Sequence, residues 1–202
     1  KTHMSTILRD TGDWFHYSID YRIGTRYMGE YIVNSCIKAA MDHPYLREML
    51  RQDAIYLAPN VHTHDLGAVS TYLGKPGDLT LGGLSIEEYK ERQDQFRTAE
   101  IAALNDTAYF ADRGTNLYGY PHFICDTGGS ICEWVEATDD SDALMSKLSA
   151  NCLPLWIKGD DAHTAELVRR FDKAPKPMAY QPEFLAKSWT EYLNENSISG
   201  DK

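Results

Sequence analysis

Two acids stand at the ends of short apolar runs. Asp20 closes Trp14-Phe15-His16-Tyr17-Ser18-Ile19-Asp20, and Asp126 closes His122-Phe123-Ile124-Cys125-Asp126. A carboxylate so placed can bind or deprotonate a hydroxyl, or reach Mg2+ directly or through water. Asp126 leads into Thr127-Gly128-Gly129-Ser130, and two glycines let backbone approach a ligand closely. Arg22 and Arg26 follow Asp20 and suit an anionic group on the same ligand. Arg169, Arg170, Lys173 and Lys176 form a basic cluster that could clamp transferring negative charge. Each feature has an ordinary alternative: a capping or turn aspartate, a solvated Asp–Arg pair, a flexible turn, a helix with a basic face.

Lys1-Thr2 stands ahead of a short helix expected over residues 2 to 9. A lysine on β- and γ-phosphates and a threonine on Mg2+, at a helix N-terminus, is the chemistry of the tail of a glycine-rich phosphate loop. The sequence is therefore expected to begin inside that loop, although a Lys-Thr pair alone is equally an ordinary terminus. His62-Thr63-His64-Asp65 offers two imidazoles and a carboxylate on an extended stretch, but this spacing is no zinc signature and no fourth ligand is evident.

These residues need elements to position them. Trp14 to Asp20 reads as a strand, and so does His122 to Asp126. Cys152 to Ile157 reads as a third, weakened by Pro154. Helices are expected from about Met28 to Met41, from Pro44 to about Ile55, from Ser85 to about Arg113, and over Asp142 to Ser149. Two more are expected over 162 to 173 and Glu183 to Asn194. Ser85 with Glu88 makes a capping box. Residues 58 to 84 carry five glycines and two prolines and read as a long loop. Strands alternating with helices predict an α/β fold, a three-layer αβα arrangement around a parallel sheet in one domain. Ligands bind at the carboxyl ends of such strands, so Asp20, Asp126 and Gly159-Asp160 should converge on one rim. The segment from about 28 to 113 is expected to be a helical insertion on the substrate side. Ala162 to Pro182 is expected to be a mobile basic lid that closes over phosphates.

Composition narrows the field. The 202 residues carry a formal net charge of -10, which argues against a nucleic-acid backbone as partner. Apolar residues make up 43%, with no run long enough for a bilayer and no signal-peptide pattern. Four cysteines without C-x-x-C spacing suit reduced thiols, and the expected location is the cytoplasm.

With these residues assembled, the chain resembles the P-loop small-molecule kinases, the shikimate- and gluconate-kinase-like group in particular. The resemblance rests on Lys1-Thr2, Ser18-Ile19-Asp20, Asp126-Thr127-Gly128-Gly129, and Arg169 with Arg170. Runs such as Trp14 to Tyr27, Ser70 to Pro76, Tyr118 to Trp134 and Glu166 to Leu185 look like a family of uncharacterised bacterial proteins labelled only as ATPases. It implies a P-loop type of fold, ATP and Mg2+, and phosphoryl transfer to an unidentified small-molecule acceptor. Lys1 and Thr2 would bind the nucleotide, and Thr2 and Asp126 the metal. Asp20 would bind or deprotonate the acceptor, with Arg22, Arg26, Gly128 and Gly129 at the substrate. Arg169 or Arg170 would clamp the phosphoryl group. The other readings are a P-loop module using nucleotide as a switch, and a non-catalytic interaction protein whose helical insertion is the binding surface.

Overall fold

The computed structural model describes residues 2–62, 67–136, 141–175 and 177–196. They are mostly helical around one parallel sheet of two strands, which corrects the expected three-layer αβα fold. Strand β1 is Trp14–Ser18 and β2 is His122–Asp126, in register from Trp14 opposite His122 to Ser18 opposite Asp126. The expected third strand, Cys152 to Ile157, has no ladder partner among the described residues. Its Leu153 and Trp156 are each 83% exposed. Pro154 has no N–H to give a ladder, and an apolar run becomes a strand only where a neighbour bonds it.

β1 stops two residues before Asp20. The Ser18 hydroxyl accepts from the Tyr21 N–H at 3.3 Å and so caps a new helix, α2 (Ile19–Arg22), which runs into a π-helical turn over Ile23–Tyr27. Asp20 thus sits in a first helical turn, not at a strand end. Ahead of β1, α1 (Thr2–Asp10) packs on both strands. The short turn through Gly12, at φ +85°, joins it to β1.

Helices α3 (Gly29–Ala40) and α4 (Pro44–Arg51) match their expected positions. A further helix, α5 (Gly67–Leu73), forms inside the segment read as a loop, because Val69 and Leu73 have a core to enter. The long α6 (Ile86–Asn105) is capped by Ser85, whose hydroxyl accepts from the Glu88 N–H at 3.1 Å. The Glu88 carboxylate does not complete the box but pairs with Arg92 at 2.6 Å. Then come α7 (Thr107–Asp112), α8 (Ala143–Ser149), α9 (Asp161–Lys173) and α10 (Pro182–Glu195).

The core joins β1, α2 and its π turn to α5 and α6 through Tyr17, Ile19, Ile23, Leu73, Phe96 and Leu104. Tyr17 stacks on Phe110 with ring centroids 4.4 Å apart, and its hydroxyl donates to the Ala103 carbonyl at 2.7 Å. Burial first, and the Asp106 charge second, push the Tyr17 phenol well above its usual range.

Candidate functional site

A cavity of about 580 Å³ opens where these elements meet. Its floor is mostly apolar: Ile23 from the π turn, Val69 and Leu73 from α5 with Ser70 between them, and Phe96 from α6. Its polar edge carries Asp20, Gly128, Gly129, Ser130 and Glu133. The opposite wall is Arg170, Phe171 and Ala174 of α9 with Pro177, Met178 and Ala179 beyond it. Four residues named from sequence, Asp20, Gly128, Gly129 and Arg170, thus line one space.

The Asp20 carboxyl lies beside Gly128. A Cβ built on Gly128 would lie 3.4 Å from Asp20 Oδ1, 3.1 Å from Glu100 Oε1 and 2.8 Å from Ser130 Oγ. Any side chain at residue 128 would wedge these groups apart, which is the local reason for glycine there. Gly129 has nothing within contact range of such an atom, so its freedom serves the cavity side.

Glu100 organises this edge, and sequence reasoning passed over it. It is fully buried on α6. Its Oε1 accepts from the Ser130 hydroxyl at 2.6 Å and its Oε2 from the Trp134 indole N–H at 2.7 Å. One carboxyl thereby fixes the 3-10 turn Gly129–Glu133 that carries the glycines. The sequence held a signal: Gln93 and Glu100 stand seven residues apart on the stripe of Tyr89, Phe96, Ala99 and Ala103, and polar residues on an apolar stripe have partners to meet.

Gln93 does for the opposite wall what Glu100 does for the edge. Nearly buried, it donates from Nε2 to the Met178 carbonyl at 2.9 Å and accepts at Oε1 from the Tyr180 N–H at 3.0 Å. The strap after α9 is thereby fixed to α6. The Gln181 N–H adds a bond to Glu133 Oε2 at 3.1 Å.

Asp126, at the end of β2, is 5% exposed, and its Oδ2 lies 3.6 Å from Nε2 of the equally sequestered His16 on β1. His16 Nε2 makes no hydrogen bond among the described residues. This paired placement at the carboxyl end of the sheet was not foreseen for His16.

The remaining predicted residues lie elsewhere. Arg22 does not line the cavity. Its Nε and Nη2 both meet Asp106 Oδ2 at 2.9 Å, Tyr27 donates to the same oxygen at 2.7 Å, and the guanidinium lies over the Tyr27 and Phe110 rings. This is a clamp between the π turn and the α6–α7 junction. Burial works against the Arg22 charge and the Asp106 hydrogen bond restores it, leaving its pKa raised. Arg26 is exposed and outside the lining, as is Arg169. Arg169 and Arg170 share Glu166: Arg169 at 2.7 and 2.8 Å, and Arg170 at 2.7 Å. These hydrogen bonds hold the Glu166 carboxyl down to about 2. Thr2 is described as the first residue of α1, while Lys1, His64, Asp65 and Lys176 lie outside the described residues. Among the described residues no group of three His, Cys, Asp or Glu side chains could hold a metal. None of the described helices is long and apolar enough to cross a membrane.

No family model matches the chain, and no curated protein or solved structure proves similar to it.

Proposed function

We propose that this chain transfers a phosphoryl group from ATP to the hydroxyl of a small molecule held in the cavity. One observation carries the reading. Asp20 and the Gly128 backbone stand together at the carboxyl end of a parallel strand pair, on the edge of a cavity large enough for a small molecule. Asp126 ends β2 at the same end of the sheet, and α1 packs on both strands. A helix N-terminus beside carboxylates suits a phosphate chain with Mg2+, since Mg2+ is held by one or two carboxylates plus phosphate oxygens. A single buried acid is a sufficient protein contribution, and Asp126 would supply it; Thr2 would join it at the metal and Lys1 would take the phosphates.

Asp20 accepts the hydroxyl proton as the acceptor oxygen bonds to the γ-phosphorus and the bond to the departing ADP breaks. Gly128 and Gly129 let the acceptor lie against backbone. Arg170 lines the same cavity as Asp20 and would offer its guanidinium to transferring charge once it turns from Glu166. ATP supplies the phosphoryl group, and Mg2+ neutralises its charge.

The test is acceptor-dependent ADP release by the intact protein, compared with Asp20→Asn and Asp126→Asn. Loss of a general base costs a factor of about 10² to 10⁴, and Asp20→Asn should show it while nucleotide binding survives. Turnover unchanged in both variants would refute the proposal.

A further inference from the structure

The cavity lining narrows the acceptor. We infer that the site takes a neutral or cationic alcohol built on an apolar body, and that it rejects sugar acids and other anions. The inference rests on the transfer reading of the same cavity, and it starts from two properties of the lining.

The first is polarity. Ile23, Val69, Leu73 and Phe96 are core residues, each at most 8% exposed, and they form the floor without a polar atom in any side chain. Phe171 and Met178 face the same space from α9 and the strap. A polyhydroxylated ligand pressed on such a floor loses its water hydrogen bonds and finds no replacements, which is costly for each hydroxyl. An aromatic ring or an alkyl chain loses nothing there. The polar partners stand at the edge, where Asp20 meets Gly128 and Ser130, with Ser70 of α5 beside the floor.

The second is charge. Asp20 and Glu133 both line the cavity, and among the described residues the lining cation is Arg170. Arg170 already meets a carboxylate, its Nε 2.7 Å from Glu166 Oε1. Glu166 also carries Arg169, at 2.7 Å, and its carboxyl stays ionised well into acid. An anionic acceptor would enter a space with two lining carboxylates and one lining guanidinium. An ammonium group would be attracted there, most directly by Glu133, which stands on the 3-10 turn beyond Ser130.

The experiment compares three probes of one skeleton and opposite charge, plus a polar acid. Phenylalaninol (cationic), 3-phenyl-1-propanol (neutral), 3-phenyllactate (anionic) and gluconate are titrated into the intact chain by calorimetry without nucleotide. Phenylalaninol and 3-phenyl-1-propanol should bind, phenyllactate at least about tenfold more weakly than phenylalaninol, and gluconate not measurably. Phe171→Ala should weaken both phenyl alcohols at least about fivefold, through loss of an aromatic wall. It sits on α9, which buries no residue, so the fold does not depend on it. In Glu133→Gln the preference for phenylalaninol over phenyllactate should shrink at least about threefold.

Phenyllactate or gluconate binding as tightly as phenylalaninol overturns the inference, and so does silence from both phenyl alcohols. An unchanged affinity in Phe171→Ala overturns it too. The same probes are then offered as acceptors with ATP. Binding in the predicted order without ADP release from any probe upholds the ligand class and counts against phosphoryl transfer. ADP release with gluconate but not with the phenyl alcohols upholds transfer and overturns the ligand class.

Discussion

Glu100 is the most exposed point of this reasoning to experiment. Its carboxyl receives two hydrogen bonds in a fully buried setting, from Ser130 Oγ at 2.6 Å and Trp134 Nε1 at 2.7 Å. Both oxygens accept in these bonds. A buried donor left without its partner costs about 1–3 kcal/mol, so Glu100→Ala, which strands two, costs about 2–6 kcal/mol before any cost of the space left behind. That is a large part of the whole stability of an ordinary domain, about 5–15 kcal/mol. Glu100→Gln is the informative variant. The amide keeps the shape and one acceptor, but turns an NH2 toward a donor, so about 1–3 kcal/mol should be lost. Urea unfolding followed by tryptophan fluorescence gives the number, and Trp134 should shift in the native spectrum as its indole N–H loses its partner. If Glu100→Gln unfolds within about 0.5 kcal/mol of wild type, the two bonds are not what fixes the glycine turn. If the turn is what Glu100 fixes, the same variant should also raise the acceptor KM, because Gly128 moves relative to Asp20.

Three further outcomes follow from the same geometry. Tyr17 is held protonated in the fold, so the unfolded chain releases its phenolic proton first as pH rises past about 10, and stability falls above that pH by up to about 1.4 kcal/mol per unit for each such group. Tyr89, pushed up to about 12 by burial, adds to this, and Tyr17→Phe should flatten the alkaline arm of a stability-versus-pH curve while costing about 1 kcal/mol at neutral pH for the lost bond to Ala103. Gly114→Ala should destabilise by about 1–3 kcal/mol in thermal or urea unfolding, because its Cβ would meet Phe15 Cβ and Cγ at 2.9 Å; an unchanged midpoint would show that β1 can yield there. Arg170→Ala should cut ADP release at least about tenfold and Arg169→Ala less than about threefold, since only Arg170 lines the cavity; equal effects would mean that charge on α9, not position, is what matters.

The helices were legible because their signals are local. Pro44 at a first turn, Ser85 at an N-cap and Asp142 with its carboxylate on the Met145 N–H all act within one turn of themselves. The sheet was less legible because a ladder is a relation between segments. Trp14–Ser18 and His122–Asp126 find each other across the chain, whereas Cys152 to Ile157 has the composition of a strand and no partner. The site was read in part for the same reason. Asp20, Gly128 and Gly129 advertise themselves by type and local pattern. Arg22 looked similar, but its destination is Asp106, 84 residues away, and nothing within a window around Arg22 announces it. Helix α5 was hidden by the glycines and prolines around it, although Val69 and Leu73 already stand at helical spacing.

Glu100 and Gln93 explain why the cavity exists with the shape it has. Both project from the core stripe of α6, seven residues apart and so about two turns along one face. One binds the turn that carries Gly129, the other the strap that carries Met178 and Tyr180. The two walls are therefore spaced by a single rigid helix. The body of α9 is held differently: it buries no residue, and Leu167 and Val168 are about half exposed. Its wall residues Arg170 and Phe171 reach the cavity from a helix tied to α6 only past its end, at the strap. The expected basic lid over residues 162 to 182 thus divides into a lightly held helix and a fixed strap. The division falls after Ala174, because Gln93 captures the backbone at Met178 and Tyr180 and nothing comparable captures α9 among the described residues.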